Sequence, residues 1–219
     1  MPPPLCTELA VLPLEEGVDV VRTGSEGHMV MQAVMAILSK QAGFQGASYG
    51  HQIENHANLN IAFDWNSIDD HKAFAGTEEH KSLVEKLKSI MAGPTIPHHV
   101  NFSPPFTALA GNAPVVDLLT VYFRKNVNED EFNETWNTFC DIAKDKAEGS
   151  LGCTSGWIVE DLEHESIDGK AKGFAAAIGW ESVEAHVKYR NTIVFKESID
   201  AIRSAASGIS MHHVKFTTA

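Results

Sequence analysis

Two stretches of the chain alternate between large apolar and smaller or polar residues. Leu59, Ile61, Phe63 and Trp65 alternate with Asn60, Ala62 and Asp64, and Phe174, Ala176, Ile178 and Trp180 do the same further on. A period of two marks a strand with one apolar face. Met29 to Gln41 instead carries Val30, Val34, Ile37 and Leu38, a helical period, and Leu83, Leu87 and Ile90 mark a second helical face. Leu9 to Leu14, Ala47 to Glu54 and the Val100/Phe102 segment supply three more strands; Pro13 suggests that the first is an edge strand or carries a bulge. Ser67 and Ser182 follow the tryptophan-ended strands as helix N-caps, and Ser67–Asp70 makes an approximate capping box. The predicted order is strand, helix, strand, strand, helix, strand, the βαββαβ or ferredoxin-like pattern.

That pattern occurs twice. Gly43, Gly46, Gly50 and Glu54 recur as Gly149, Gly152, Gly156 and Glu160, all at an offset of 106 residues. Trp65-Asn-Ser-Ile-Asp-Asp-His71 recurs as Trp180-Glu-Ser-Val-Glu-Ala-His186, and each half closes on a double histidine, His98-His99 and His212-His213. The expected class is therefore α+β, with one ferredoxin-like unit over 1–105 and another over 106–219. Each four-stranded sheet carries helices on one face and needs cover on the other. Packing sheet to sheet gives an intramolecular α+β barrel, with a ligand chamber expected between the sheets. Asp161 to Lys172 is a polar insertion present only in the second unit, expected as a loop or extended hairpin.

Composition is that of an ordinary globular chain, 43% hydrophobic and 21% charged. No apolar run reaches the length of a membrane span, and Met1-Pro-Pro-Pro-Leu-Cys6 does not read as a secretory signal. A formal charge of −12 argues against nucleic acid as partner and leaves a small molecule or a protein. Cys6, Cys140 and Cys153 are an odd number without metal spacing, which fits free thiols in a cytoplasmic protein.

The glycine-rich runs Gly43 to Tyr49 and Gly149 to Cys153, with the two Trp-x-Ser-x-x-x-His stretches, resemble the antibiotic biosynthesis monooxygenase family of the dimeric α+β barrel superfamily, here as a tandem duplication. The resemblance implies a monooxygenase-like enzyme that needs no cofactor and acts on a small aromatic or polyketide-like molecule, in secondary metabolism. A related lyase, cyclase, isomerase or decarboxylase, or a non-catalytic binding or stress-related barrel, are the alternatives. It implies a monomeric pseudo-dimer or a homodimer. Trp65 and Trp180 match the family's strand-ending tryptophan. The chain departs from the family pattern at His71 and His186, where a tyrosine stands, and at Ile61 and Ala176, where an asparagine stands. The haem-degrading branch would place its iron ligand near Ile199, matched by Val84 in the first unit, and neither side chain can ligate iron.

The histidines carry the candidate chemistry. His71 and His186 lie in the first turns of helices, where the dipole disfavours imidazolium, so each is a candidate neutral general base. If Val100 and Phe102 pack under the helices, His99 and His213 face the chamber. His51 and Tyr49 become Trp157 and Ser155 in the second unit. This asymmetry adds His51 to the catalytic candidates, and Tyr49 and Trp157 join Trp65 and Trp180 as candidates for stacking a ring. No metal-binding spacing and no dinucleotide motif is present; Glu54 and Glu160 could be general bases, but at strand ends such acids are more often solvated surface.

Overall fold

In the computed structural model, residues 5–219 are described; the first four residues of the N-terminal segment read above for a secretory signal lie outside them. The first half runs β1 (Cys6–Pro13), α1 (Glu26–Leu38), β2 (Phe44–His51), β3 (Asn58–Trp65), α2 (Ile68–Ala75), α3 (Glu78–Lys88) and β4 (His98–Val100). A short α4 (Phe106–Ala110) leads to β5 (Val115–Arg124), α5 (Glu129–Lys146), β6 (Ser150–Trp157), β7 (Ala171–Trp180), α6 (Val183–Arg190), α7 (Ile193–Ala205) and β8 (Gly208–Val214). The chain ends in β9 (Thr217–Thr218). The sheets have matching antiparallel orders, β4-β1-β3-β2 and β8-β5-β7-β6, and β9 adds to the first sheet beside β2. Ser67 and Ser182 cap α2 and α6 by accepting from Asp70 N and Ala185 N.

Pro13 does not mark an edge. β1 lies between β4 and β3, but β4 pairs only with Thr7 to Leu9, so the missing N–H of Pro13 falls beyond the short partner. Alternation then sorts the side chains. Ala10, Leu12, Leu59, Ile61, Phe63 and Trp65 pack against Met31, Val34 and Leu38 of α1 and Leu83 and Leu87 of α3. The second half builds the same layer from Leu119, Val121, Phe174, Ile178 and Trp180 against Phe132, Trp136 and Phe139. Each such large side chain contributes about 1.5–3 kcal/mol when fully buried.

The opposite faces of the two sheets meet, and the space between them is filled. Val100, Phe102, Val116, Leu118, Ala175 and Ala177 interlock there, with Phe106 and Leu109 of α4 inserted from one end and Leu162 and Ile167 of the insertion also in the cluster. Asp64, fully buried on this face, is satisfied by the hydroxyls of Thr7 (2.6 Å) and Thr107 (2.7 Å). The expected chamber between the sheets is thus replaced by a packed core, because small residues on β7 admit the linker helix and its phenylalanine. Val100 and Phe102 also lie on this face rather than under the helices.

Each half's final segment crosses to the other half. Val100 pairs with Ile158 and Ser103 with Ser155, while Gln52 pairs with Val214 and β9 runs along Ser48 and Tyr49. The recurring glycines make room for these crossings. A Cβ on Gly50 would collide with the Lys215 carbonyl, and one on Gly156 would stand 2.5 Å from the Asn101 carbonyl oxygen. Gly43 and Gly149 hold φ of 84° and 83° just before their strands. Cys140 and Cys153 are joined as a disulfide across Cα atoms 6.6 Å apart, which corrects the expectation of three free thiols; Cys6 is free and buried.

Candidate active site

The sheet face that meets the helices carries two carboxylates among apolar neighbours. Glu8 stands opposite His99 in the β1–β4 ladder, and Asp117 stands opposite His213 in the β5–β8 ladder. Strand alternation points both toward the helices, where the first turns of α2 and α6 deliver His71 and His186. The result is two chains of four ionisable groups related by the duplication.

In the first, Glu8 Oε2 lies 3.3 Å from His71 Nε2, His71 Nδ1 lies 2.6 Å from His99 Nε2, and His99 Nδ1 lies 2.6 Å from Glu160 Oε1. The second Glu160 oxygen accepts the His99 backbone N–H at 2.7 Å. In the second, the distances are 3.5 Å from Asp117 to His186, 2.7 Å from His186 to His213 and 2.5 Å from His213 to Glu54. Each terminal glutamate comes from the opposite half of the chain. Ionised Glu160 only accepts, so His99 Nδ1 carries hydrogen, and its Nε2 is placed to accept from His71 Nδ1–H. The lone pair of His71 Nε2 is left facing Glu8.

Electrostatics separate these groups. Burial pushes the Glu8 carboxyl up to about 7, opposed by the nearby Trp65 indole N–H, which itself makes no hydrogen bond. Burial, reinforced by His99, drives His71 down to about 4, so it is neutral near pH 7, chiefly through desolvation. Burial also raises Asp117 to about 8 and lowers His186 to about 3. Burial works to raise Glu160 and Glu54, yet hydrogen bonds from the His99 and His213 rings and backbones hold both below the ordinary carboxylate value. Trp65 and Trp180 stack on His71 and His186 at centroid distances of 5.1 and 4.8 Å.

The chambers lie between each sheet and its own helices. In the first half a mostly apolar cavity of about 610 Å³ is walled by Ile61, Phe63, Phe74, Leu83, Val84 and Leu87, with Glu8, His71, His80, Lys88 and Thr95 as polar residues. The second half has about 280 Å³, reached by Asp117 and His186. The linings differ: Phe139 of α5 reaches into the second cavity, whereas α1 borders the first only through Leu38, and the first extends along Met91, Ala92, Gly93, Pro94 and Thr95.

Among the residues singled out from sequence, His71 and His186 line cavities. His99 and His213 sit one hydrogen bond behind them. Trp180 lines the second cavity, whereas Trp65 supports His71 from behind the first. His51 lies elsewhere: it accepts from Val20 N at 3.1 Å and bonds the His56 carbonyl at 2.7 Å, holding the β1–α1 loop. Tyr49 packs in the first core, and Trp157 packs among Phe123, Phe132 and Phe174 with its N–H on Asn133. Sequence alone does not single out Glu8, Asp117 or His80, and for Glu54 and Glu160 it favours solvated surface over a general base. A lone acid inside an apolar strand, as in Val115-Val116-Asp117-Leu118-Leu119, was the available signal. Asp117, His186 and His213 bring donor atoms within 4.8 Å of one another, the one such group among the described residues, but a metal would have to break the 2.7 Å histidine pair to use them. Val84 and Ile199 line the two cavities and offer no axial donor to a haem iron.

No family profile and no curated protein matches the sequence. Solved structures do match over nearly the whole chain. An anthrone oxidase-like protein superposes with a TM-score of 0.64 at 13% identity, covering 98% of this chain and 92% of that one. A candidate monooxygenase from Lactobacillus acidophilus gives 0.63 at 11% identity, covering 99% and 96%. A candidate chlorite dismutase gives 0.60 at 10% identity, covering 98% and 95%. At these identities the likeness is one of fold: an α+β barrel shared with candidate monooxygenases.

Proposed function

We propose that the protein is a cofactor-independent, monooxygenase-like enzyme of the antibiotic biosynthesis monooxygenase type, and that its first half carries the reaction. The observation that supports this most is the Glu8–His71 pair, buried at the wall of an apolar cavity large enough for a multi-ring aromatic molecule. The pair acts as one general base. At low pH it shares a proton between Glu8 Oε2 and His71 Nε2; as pH rises through about 7 that proton leaves and the pair can accept another. It then removes a proton from a phenol or an activated methylene of the substrate. The imidazolium formed is held by Glu8 on one side, by the His99–Glu160 chain on the other, and by the indole face of Trp65.

The electron-rich carbanion left behind can react with O₂. One methylene and one O₂ give a carbonyl and one water, with all electrons drawn from the substrate's two C–H bonds. The name of the anthrone oxidase-like neighbour agrees with such a substrate class. One observation favours a second outcome: Ile61, in the cavity wall, supplies no amide where the oxygenase pattern has asparagine. The same base would then serve elimination, cyclisation or isomerisation.

Oxygen uptake with anthrone as probe tests the proposal. Catalysed uptake above the buffer rate, lost in Glu8→Gln and His71→Ala, supports it. Turnover that persists without O₂ selects the second outcome, and uptake equal to buffer rejects oxygenation of this probe.

A further inference from the structure

The second cavity is not a reduced copy of the first. Three of its lining side chains are at least nine-tenths buried and carry polar atoms with no hydrogen-bond partner: Asp117 Oδ1, Trp180 Nε1 and Tyr189 Oη. At an offset of 115 the first half has Phe74 where Tyr189 stands, so that hydroxyl belongs to the second half alone. Arg190 and Arg203 also line this cavity; both are exposed, and neither makes an ion pair among the described residues. Their counterparts are Ala75 and Lys88; Lys88 borders the first cavity but is engaged with Glu85 at 2.9 Å. Two uncommitted arginines converging on one pocket stand out in a chain of net charge −12.

We propose that the second cavity is a separate binding site for a small carboxylate of single-ring size, its anion facing Arg190 and Arg203 and the Trp180 and Tyr189 donors. The volume of about 280 Å³ is below what drug-sized ligands occupy, about 300–1,000 Å³. Phe139, Phe195, Ile199 and Ile202 supply the apolar wall for a ring. Guanidinium matches a carboxylate in charge and in its paired donors. Asp117 does not oppose the anion below about pH 8, because burial keeps its carboxyl protonated and hence a donor. The other ionisable groups facing this end are neutral His186 and, behind His213, Glu54.

Benzoate is the probe, followed by calorimetry and tryptophan fluorescence, with benzamide as the neutral isostere. Benzoate should bind at least tenfold more tightly than benzamide and lose at least tenfold in Arg190→Gln/Arg203→Gln, whose substituted positions are exposed and whose folding is checked by thermal melting. Tyr189→Phe, which restores the first half's residue, should weaken benzoate severalfold. Val84→Phe, which obstructs only the first cavity, should leave it unchanged. Equal binding of benzamide, no benzoate binding at millimolar concentration, unaltered affinity in the double arginine variant, or loss in Val84→Phe would each overturn the assignment. None of these outcomes depends on oxygen uptake by the first half.

Discussion

Replacing Glu8 by Gln should make the protein more stable in alkali while removing its base. Glu8 has its carboxyl raised from 4.5 to about 7 by burial. Between those values the folded chain holds a proton that the unfolded chain has released, so stability falls as pH rises through this window and levels off above about 7. At about 1.4 kcal/mol per pKa unit, the loss amounts to about 3 kcal/mol. His71 works in the opposite sense. Lowered from 6.5 to about 4, it stays neutral in the folded chain while the unfolded chain protonates, so stability rises with pH between those values by a similar amount. In the wild type the two effects nearly cancel through mild acid. Glutamine keeps the shape of the protonated acid and can still donate to His71 Nε2, so it removes the falling limb alone. Melting followed by circular dichroism from pH 4.5 to 8.5 should show the two proteins matched at the acid end. At pH 8 the variant should melt roughly 6–12 °C higher, from about 2–4 °C per kcal/mol for a chain of this size. Asp117 titrates in both proteins and drops out of the difference. A variant less stable at pH 8, or a gap that does not change with pH, would refute the electrostatic account of the site.

Three further outcomes are expected. Glu160→Gln removes the anionic end of the first relay; because Glu160 is about one-third exposed (34%), the effect sits at the low end for a charged hydrogen bond, about tenfold in kcat with KM little changed, read by steady-state oxygen uptake. Gly156→Ala forces a methyl into the Asn101 carbonyl where the halves cross, so chemical denaturation should register a loss of about 1–3 kcal/mol, whereas Gly76→Ala, with its nearest neighbour atom at 3.6 Å, should change little. Val84→Phe narrows the first cavity and should raise KM for a multi-ring substrate roughly tenfold or more, while Ile199→Phe in the second should not; the reverse pattern would move the activity to the other half.

Periodicity and repetition made much of the fold legible. The alternation through Trp65 and Trp180 and the serine caps each appear as the sequence predicts, because each depends on neighbours in sequence. What depended on the facing partner was not legible. Alternation shows that His99 and Val100 point opposite ways but not which side holds the other sheet. Val100 faces it, and the space expected to be a chamber is occupied by Phe106 and Leu109 from the segment that links the two units. Glu54 and Glu160 sit at strand ends and resemble solvated acids until the opposite half's histidine is placed against them. The asymmetry at His51 was real but structural: both ring nitrogens serve backbone groups.

Those two glutamates explain why one half alone would be incomplete. His71 is oriented by His99, and His99 is oriented by a carboxylate beyond the end of β6. The backbone contact Val159 N to the His99 carbonyl, at 2.9 Å, holds that strand end in place, and Ile53 N to the His213 carbonyl at 2.8 Å does so for the other relay. Closure of the barrel and completion of both relays are therefore one event. In a symmetric dimer, any change that enlarges one cavity enlarges the other. Fusion lifts that constraint: the first half can hold about 610 Å³ open, while the second, lined by Phe139, Tyr189 and Phe195, holds about 280 Å³. The second half must still present Glu160 to the first whatever its own pocket binds, so its sheet edge is constrained by its neighbour's chemistry even where its cavity has diverged.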